Sequence, residues 1–276
     1  MLFTPELSMF SLPIRKKTKT AILGVPFDSS QSVFAGARHG PLAIRFASTT
    51  LNDFSLLFRR RVSEFSISDW GDVEVVYGDF HKTQQLVHKA LDSINAEKYL
   101  FLGGDHSITI MTVSYLHNRV GTYVHVDADP DFEESYQGFQ YSHGCTLRRV
   151  GEIIGFEKVI LVGYRATLPE ELKALEDFGV EAYSTYDIYE DESILKNAFK
   201  KADYLSLDLD VFDPAYVPEV GTPEPFGLTP HQFLRNIKYL QPKFVDIVEL
   251  TTTRLNSITA VFAAGIAREI LIAMNR

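Results

Sequence analysis

Apolar residues fall along this chain in two rhythms. Short, almost wholly apolar runs rich in β-branched and aromatic residues recur at Thr20 to Val25, Tyr99 to Leu102, Thr122 to Val126, Lys158 to Val162, Val180 to Tyr183, Tyr204 to Leu209 and Phe244 to Val248. They predict strands buried on both faces, because a strand with one solvated face alternates apolar and polar positions instead. Between them, Gly40 to Thr50, Lys82 to Ala96, Ser107 to Asn118, Pro169 to Phe178, Glu192 to Lys200, Pro230 to Leu240 and Ile258 to Met274 space their apolar residues three and four apart. That spacing predicts amphipathic helices, and Thr229-Pro230 supplies a helix cap and first-turn pair. Alternating strands and helices predict a single α/β domain over residues 1–276, a mostly parallel β-sheet covered by helices on both faces. No internal repeat, low-complexity tract or long linker interrupts it.

Composition narrows the function classes. With 276 residues, 45% of them hydrophobic, the chain can bury a full core. The formal charge is −9, and the basic runs are only Arg15-Lys16-Lys17 and Arg59-Arg60-Arg61. No nucleic-acid footprint is expected. The single cysteine, Cys145, excludes an internal disulfide framework and fits a reducing compartment. The N-terminal apolar stretch is interrupted and has no positive region ahead of it, so it does not read as a signal peptide. No run approaches the ~20 consecutive apolar residues of a membrane helix. The expectation is a cytoplasmic protein without a membrane partner.

In open parallel sheets ligands gather at the carboxyl ends of the strands. Four predicted strands end there in polar groups: Gly103-Gly104-Asp105-His106-Ser107, Asp127-Ala128-Asp129-Pro130-Asp131, Asp208-Leu209-Asp210 and Glu249. If the segment from Asp127 to Asp131 is extended, alternation turns its three carboxylates the same way, and Asp208 and Asp210 repeat the pattern. Five carboxylates at one sheet edge repel unless a cation or protons neutralise them. Hard oxygen donors with the imidazole of His106 suit Mn²⁺ better than a thiolate-bound Zn²⁺, and so many carboxylates call for two ions. Each element alone has an ordinary explanation. Acidic alternation occurs in turns and calcium loops, glycine pairs mark tight turns, and a lone histidine caps helices. Their coincidence at four strand ends points to a metal site.

These residues resemble the ureohydrolase family of arginases, agmatinases and formiminoglutamases, from about Gly24 onward. Gly24-Val25-Pro26-Phe27-Asp28, Gly36-Ala37-Arg38-His39-Gly40-Pro41 and Ile44-Arg45 are similar to the agmatinase N-terminal pattern. Gly103 to Ser107 resembles the first metal motif, Asp127 to Asp131 the Asp-Ala-His-x-Asp motif, and Ser206 to Pro214, continued by Gly221-Thr222-Pro223-Glu224, the Ser-x-Asp-x-Asp-x-x-Asp-Pro signature. Ser142-His143-Gly144, Gly163-Tyr164-Arg165 and Asp246 to Glu249 match further blocks. The resemblance implies an arginase-like three-layer fold and two Mn²⁺. One ion would be held by His106, Asp127, Asp131 and Asp208, the other by Asp127, Asp129, Asp208 and Asp210. A hydroxide between them would attack a guanidinium carbon, with Glu249 pairing the guanidinium and His143 carrying the leaving amine's proton. It also implies a homo-oligomer, commonly a trimer or hexamer.

Three departures stand out. Asp129 replaces the histidine expected at the second metal, so five carboxylates face the +4 of two ions and one negative charge is left over. That charge predicts weaker second-metal binding and a need for high manganese or raised pH. Pro218-Glu219-Val220-Gly221 stands where Pro-Gly-Thr-Gly is usual, and Phe226 where glycine is common, so the nearby loop is expected to follow another path. Glu133 and Glu134 sit where arginases hold a substrate carboxylate, which favours an amine-ended substrate such as agmatine, hydrolysed to putrescine and urea. Arginase-like or formiminoglutamase-like hydrolysis is the alternative within the family. A non-catalytic metal-binding homologue is the alternative outside catalysis.

Overall fold

The computed structural model describes the backbone of residues 3–4 and all of residues 7–276. In chain order its strands are β1 (Phe3–Thr4), β2 (Thr20–Val25), β3 (Phe54–Ser55), β4 (Arg60–Arg61), β5 (Ile67–Val73), β6 (Lys98–Gly103), β7 (Tyr123–Val126), β8 (Val159–Tyr164), β9 (Glu181–Ser184), β10 (Tyr204–Asp208) and β11 (Phe244–Val248). The helices are α1 (Gly40–Ser48), α2 (Phe80–Ile94), α3 (Ile108–Leu116), α4 (Thr146–Ile154), α5 (Pro169–Asp177), α6 (Thr185–Glu190), α7 (Ser193–Lys201), α8 (Pro230–Ile237) and α9 (Ile258–Asn275). All seven expected strands and all seven expected helices are present, shifted at their ends by two residues or fewer except at the C-terminus of α8.

Nine strands form one sheet in the order β1-β5-β2-β6-β11-β10-β7-β8-β9, parallel throughout except for β1 against β5. Side-chain alternation splits the core into two layers. Ile22, Leu100, Val124, Leu205 and Ile247 face one layer, packed with α1, α7, α8 and α9. Leu23, Phe101, Tyr123, Tyr204 and Phe244 face the other, packed with α2, α3, α4 and α5. This is the expected helix–sheet–helix sandwich. By length and composition α9 could cross a membrane, but two-thirds of it is buried inside the protein, where it packs on α1 and α8. It is a core helix.

Three elements of useful size were not anticipated. β5 reads Ile-Ser-Asp-Trp-Gly-Asp-Val, too polar for a buried strand. Its Asp69 is nevertheless buried, because the equally buried Arg45 of α1 reaches across to it. In α4, Gly151 breaks the helical pattern; a Cβ there would sit 2.3 Å from the ring of Phe156. The short α6 is started by Ser184 and Asp187 in a reciprocal capping box.

Candidate metal centre

β6, β11, β10 and β7 are four consecutive neighbours at the middle of the sheet, so their carboxyl ends open onto one place. They deliver His106, Glu249, Asp208 with Asp210, and Asp127 with Asp129 and Asp131. Gly104 ties this edge together: its amide donates to Val25 and its carbonyl accepts from Glu249, while Asp105 donates to Phe27. Any side chain at Gly104 would collide with the Phe27 backbone, a Cβ falling 1.8 Å from its oxygen.

The carboxylates converge differently from the expected alternation. β7 ends at Val126, and Asp131 lies in the left-handed region with φ 51°, so residues 127–131 bend rather than extend. Beyond Asp208 the chain turns through a single 3₁₀ turn over Leu209–Val211. Backbone amides then hold one oxygen of three of the carboxylates: Asp129 N donates to Asp127 Oδ1 at 2.8 Å, Asp210 N to Asp208 Oδ1 at 2.8 Å, and Ala128 N to Asp210 Oδ1 at 3.1 Å. Turn geometry, not strand pleat, leaves their other oxygens for the cavity.

Those oxygens surround His106. Its Nδ1 lies 2.9 Å from Asp127 Oδ2, 3.2 Å from Asp131 Oδ2 and 3.2 Å from Asp208 Oδ2. One nitrogen carries at most one proton and cannot satisfy three acceptors. Indeed His106 Nδ1 and Asp127 Oδ2 are both buried without a hydrogen-bond partner. Separations near 3 Å are those of neighbouring ligands in an octahedron about 2.1 Å in radius. A cation resolves the conflict. Asp127, Asp208 and Asp210 form a second donor set, with the two sets sharing Asp127. The residues therefore fit a pair of divalent ions.

The electrostatics agree. Burial pushes Asp210 up to about 7, with the charge of Asp127 adding to it. Burial, followed by the charges of Asp210 and Asp127, holds Asp208 and Asp129 well above the usual carboxylate range. Asp131 is raised likewise by burial and Asp127. Asp127 moves the other way, because the imidazoles of His106 and His125 outweigh its burial. Without a cation, protons take its place.

Asp129 lines the same chamber but stands outside both donor sets. Glu249, with φ 63°, accepts the His106 amide at 2.7 Å on one oxygen and Gln31 Nε2 at 3.0 Å on the other. His143 also lines the chamber. Its Nδ1 lies 3.2 Å from Ser30 Oγ, which gives its own proton to the buried Asp105 at 2.8 Å. Ser30 must therefore accept from His143, fixing the proton on Nδ1 and leaving Nε2 to exchange one. Burial chiefly lowers the pKa of His143, so it is neutral at pH 7. Arg165 is a clamp on the surrounding loops, donating to the carbonyls of Asp210 and Glu224 at 2.7 Å each. The departing loop is extended: Val220 pairs with Leu250, and Phe226 takes the left-handed conformation with φ 66° that glycine would adopt more cheaply.

Several contributors were not singled out from the sequence. His125, on β7 two residues before Asp127, joins the first donor set, and strand alternation alone would have flagged it. Gln31, Ser30 and Asp105 orient Glu249 and His143 from loops, where no periodicity marks them. Outside the chamber a wider cavity of about 150 Å³ is walled by Asp129, Glu133, Glu171, Tyr136, His143 and Thr222, with no Lys or Arg among its described lining residues.

The arginase family profile matches residues 18–273. This chain belongs to the arginase family. Among family relatives it is 36% identical over 251 residues to an agmatinase of Pyrococcus horikoshii, covering 88% of this chain and 87% of that one. It is 34% identical over 274 residues to an N(1)-aminopropylagmatine ureohydrolase of Thermococcus kodakarensis, covering 95% and 94%. The agmatine ureohydrolase of Thermoplasma volcanium superposes with a TM-score of 0.88 at 30% identity, covering 99% of this chain and 95% of that one. The chain is thus an arginase-family guanidino hydrolase with agmatinase-like relatives, and its buried His/Asp cluster is suited to metal.

Proposed function

We propose that this protein is a manganese-dependent agmatinase, cleaving the guanidino carbon–nitrogen bond of agmatine to release urea and putrescine. The observation that carries the reading is the set of three carboxylate oxygens gathered around one partnerless imidazole nitrogen, at the floor of an acid-walled cavity. His106, Asp127, Asp131 and Asp208 would hold one ion, and Asp127, Asp208 and Asp210, with Asp129 beside them, the other. A donor set made mostly of carboxylate oxygens favours manganese over softer metals. When bound, such a pair supplies Lewis acidity and brings the pKa of water toward neutrality.

The chain's own groups do the rest. Glu249, its two oxygens set by His106 N and Gln31, presents a fixed carboxylate that pairs with the flat guanidinium and orients its carbon. His143, anchored through Ser30 to Asp105, keeps its own proton on Nδ1 and offers Nε2 to take up a proton and pass it to the leaving nitrogen. The acidic outer wall suits the free ammonium of agmatine and repels the α-carboxylate of arginine.

Urea release from agmatine, N(1)-aminopropylagmatine and arginine, assayed with added manganese, tests the reading. Agmatine should be the preferred substrate. Preference for arginine would overturn the substrate assignment, and silence on all three by a folded, manganese-loaded protein would favour a non-catalytic homologue. Asp129→His should tighten the weaker manganese site by about tenfold, since imidazole removes the surplus charge and supplies the donor the resemblance leads one to expect. Calorimetric manganese titration of the two proteins would read this directly, and identical isotherms would refute it.

A further inference from the structure

The blocks Gly24 to Asp28 and Gly36 to Pro41 supply no residue to the metal cluster, and the loop between them shows what they do. Residues 28–38 run from just beyond β2 to just before α1, and Gln31, Ser32 and Val33 line the chamber. The loop is closed at its base. The Arg38 amide and Nε donate to Asp28 Oδ2 at 3.2 and 2.8 Å, and Arg38 Nη2 lies 2.6 Å from Asp28 Oδ1. Asp28 is buried, while Arg38 reaches the surface with its guanidinium 4.2 Å above the ring of Tyr77.

Adjacent residues of this loop hold His143 and Glu249. The amides and hydroxyls of Ser30 and Ser107 give Asp105 four donors, enough to fill the acceptor sites of an ionised carboxylate. Ser30 thus spends its proton on Asp105, and its oxygen accepts the His143 amide at 3.0 Å and meets His143 Nδ1 at 3.2 Å. With one hydrogen given and two accepted, the hydroxyl is saturated, which confines the His143 proton to Nδ1. Gln31 is saturated too. Its Oε1 accepts the amides of Gly36 and Ala37 at 2.9 and 3.2 Å, which fixes the end of the side chain that is nitrogen. Nε2 then donates to Glu249 Oε2 and Thr251 Oγ1 at 3.0 Å each. With the His106 amide on its other oxygen, the Glu249 carboxylate is held in one plane, and each oxygen keeps a lone pair for one arm of a guanidinium. Gly221 leaves room for this contact, since a Cβ there would lie 3.1 Å from Glu249 Oε2.

We propose that residues 28–38 are one positioning element: Ser30 sets the tautomer of His143, Gln31 sets the plane of Glu249, and the Asp28–Arg38 pair keeps the two in register. The proposal rests on the reading that the chamber hydrolyses a guanidino substrate. Ser30 acts on the group that moves a proton and Gln31 on the group that binds, so their losses separate in the kinetics. General damage to the loop would move both constants together.

Steady-state hydrolysis of agmatine by the manganese-loaded proteins tests this. Ser30→Ala should lower kcat about tenfold with KM nearly unchanged, and Ser30→Thr, which keeps the hydroxyl, should retain most of the rate. Gln31→Met should raise KM about tenfold with a smaller change in kcat. Arg38→Met, at the base of the loop, should show both changes, each a few-fold. The tautomer is read without turnover. Nitrogen NMR of the metal-free, histidine-labelled protein, with His143 assigned by its absence in His143→Gln, should show Nδ1 alone protonated in the native protein and both tautomers in Ser30→Ala. Parallel losses of kcat and KM in Ser30→Ala and Gln31→Met, or native values in either, would overturn the proposal and leave the hydrolase reading intact. Native kinetics in Arg38→Met would overturn the role of the closing pair. A native His143 protonated on Nε2 would overturn the Ser30 assignment without any variant. Silence of the native protein on every guanidino compound would overturn the functional reading, and the spectra would still decide what Ser30 does.

Discussion

Arg45→Met should destabilise the protein by about 3–5 kcal/mol, the usual consequence of stranding a buried charge. Arg45 is buried in α1, and its guanidinium grips both oxygens of Asp69 at 2.9 and 3.0 Å, the Gly71 carbonyl at 3.0 Å, and Asp72. Asp69, itself buried, also accepts the amides of Met9 and Gly71, so it cannot swing out to water when its cation is lost. Despite the cost of its burial, Arg45 is held firmly charged by Asp69 and Asp72. A loss of this size corresponds to roughly 10 °C in Tm for a domain of this length. Adding Asp69→Asn to Arg45→Met should restore part of the loss, because the stranded charge goes with it. Denaturant unfolding of the three proteins decides the matter. A loss below about 1 kcal/mol for Arg45→Met would mean that the pair contributes no more than a surface ion pair.

Stripped of divalent metal, the protein should become less stable as pH rises from 5 to 8, and manganese should abolish that trend. The sign follows from proton binding. Asp210 is raised from 3.8 to about 7 by burial and Asp127, so between those values the folded state holds a proton that the unfolded state has released. Its stabilisation is complete below about pH 4 and disappears as pH climbs through 7. Asp129, Asp131, Asp208 and Glu249, raised chiefly by burial, act in the same direction. His106 extends the decline above pH 6.5, its burial being outweighed by the pull of the Asp127, Asp131 and Asp208 carboxylates on its protonated form. His125 and His143, lowered chiefly by burial, oppose it below that pH but are outnumbered. The lowered pKa of Asp127 acts only under pH 4, outside the range. Between pH 5 and 8 Asp210 alone accounts for about 3 kcal/mol, or roughly 8 °C. Calorimetry on chelator-treated protein should show Tm falling across this range, with the fall removed by manganese in place of the protons. A metal-free Tm that is flat or rising from pH 5 to 8 would refute the description of the site.

Both predictions concern charges placed where solvent cannot reach, and they mark the boundary of what the sequence conveys. Seven strands and seven helices were legible because each declares itself locally: buried parallel strands must be apolar end to end, only the edge strand β9 being partly exposed, and amphipathic helices must repeat near 3.6 residues. His106, Asp127, Asp131, Asp208 and Asp210 were legible because carboxylates crowded at apolar strand ends have few explanations besides a cation. β5 was not legible, since Asp69 and Asp72 make sense inside the protein only after Arg45 arrives from another element.

Tertiary structure alone decided three things. It inserted β11, the last strand in the chain, between β6 and β10, bringing Glu249 beside His106; strand order depends on non-local pairing that no window of sequence contains. It replaced the expected alternation of Asp127, Asp129 and Asp131 with a bend at positive φ, because backbone amides within that turn and the next claim one carboxylate oxygen each and aim the rest. And it brought Ser206 of β10 and Asp246 of β11 behind the ring of His106, where Ser206, its proton given to Asp246, accepts from His106 Nε2 through contacts between strands rather than between neighbours in the chain.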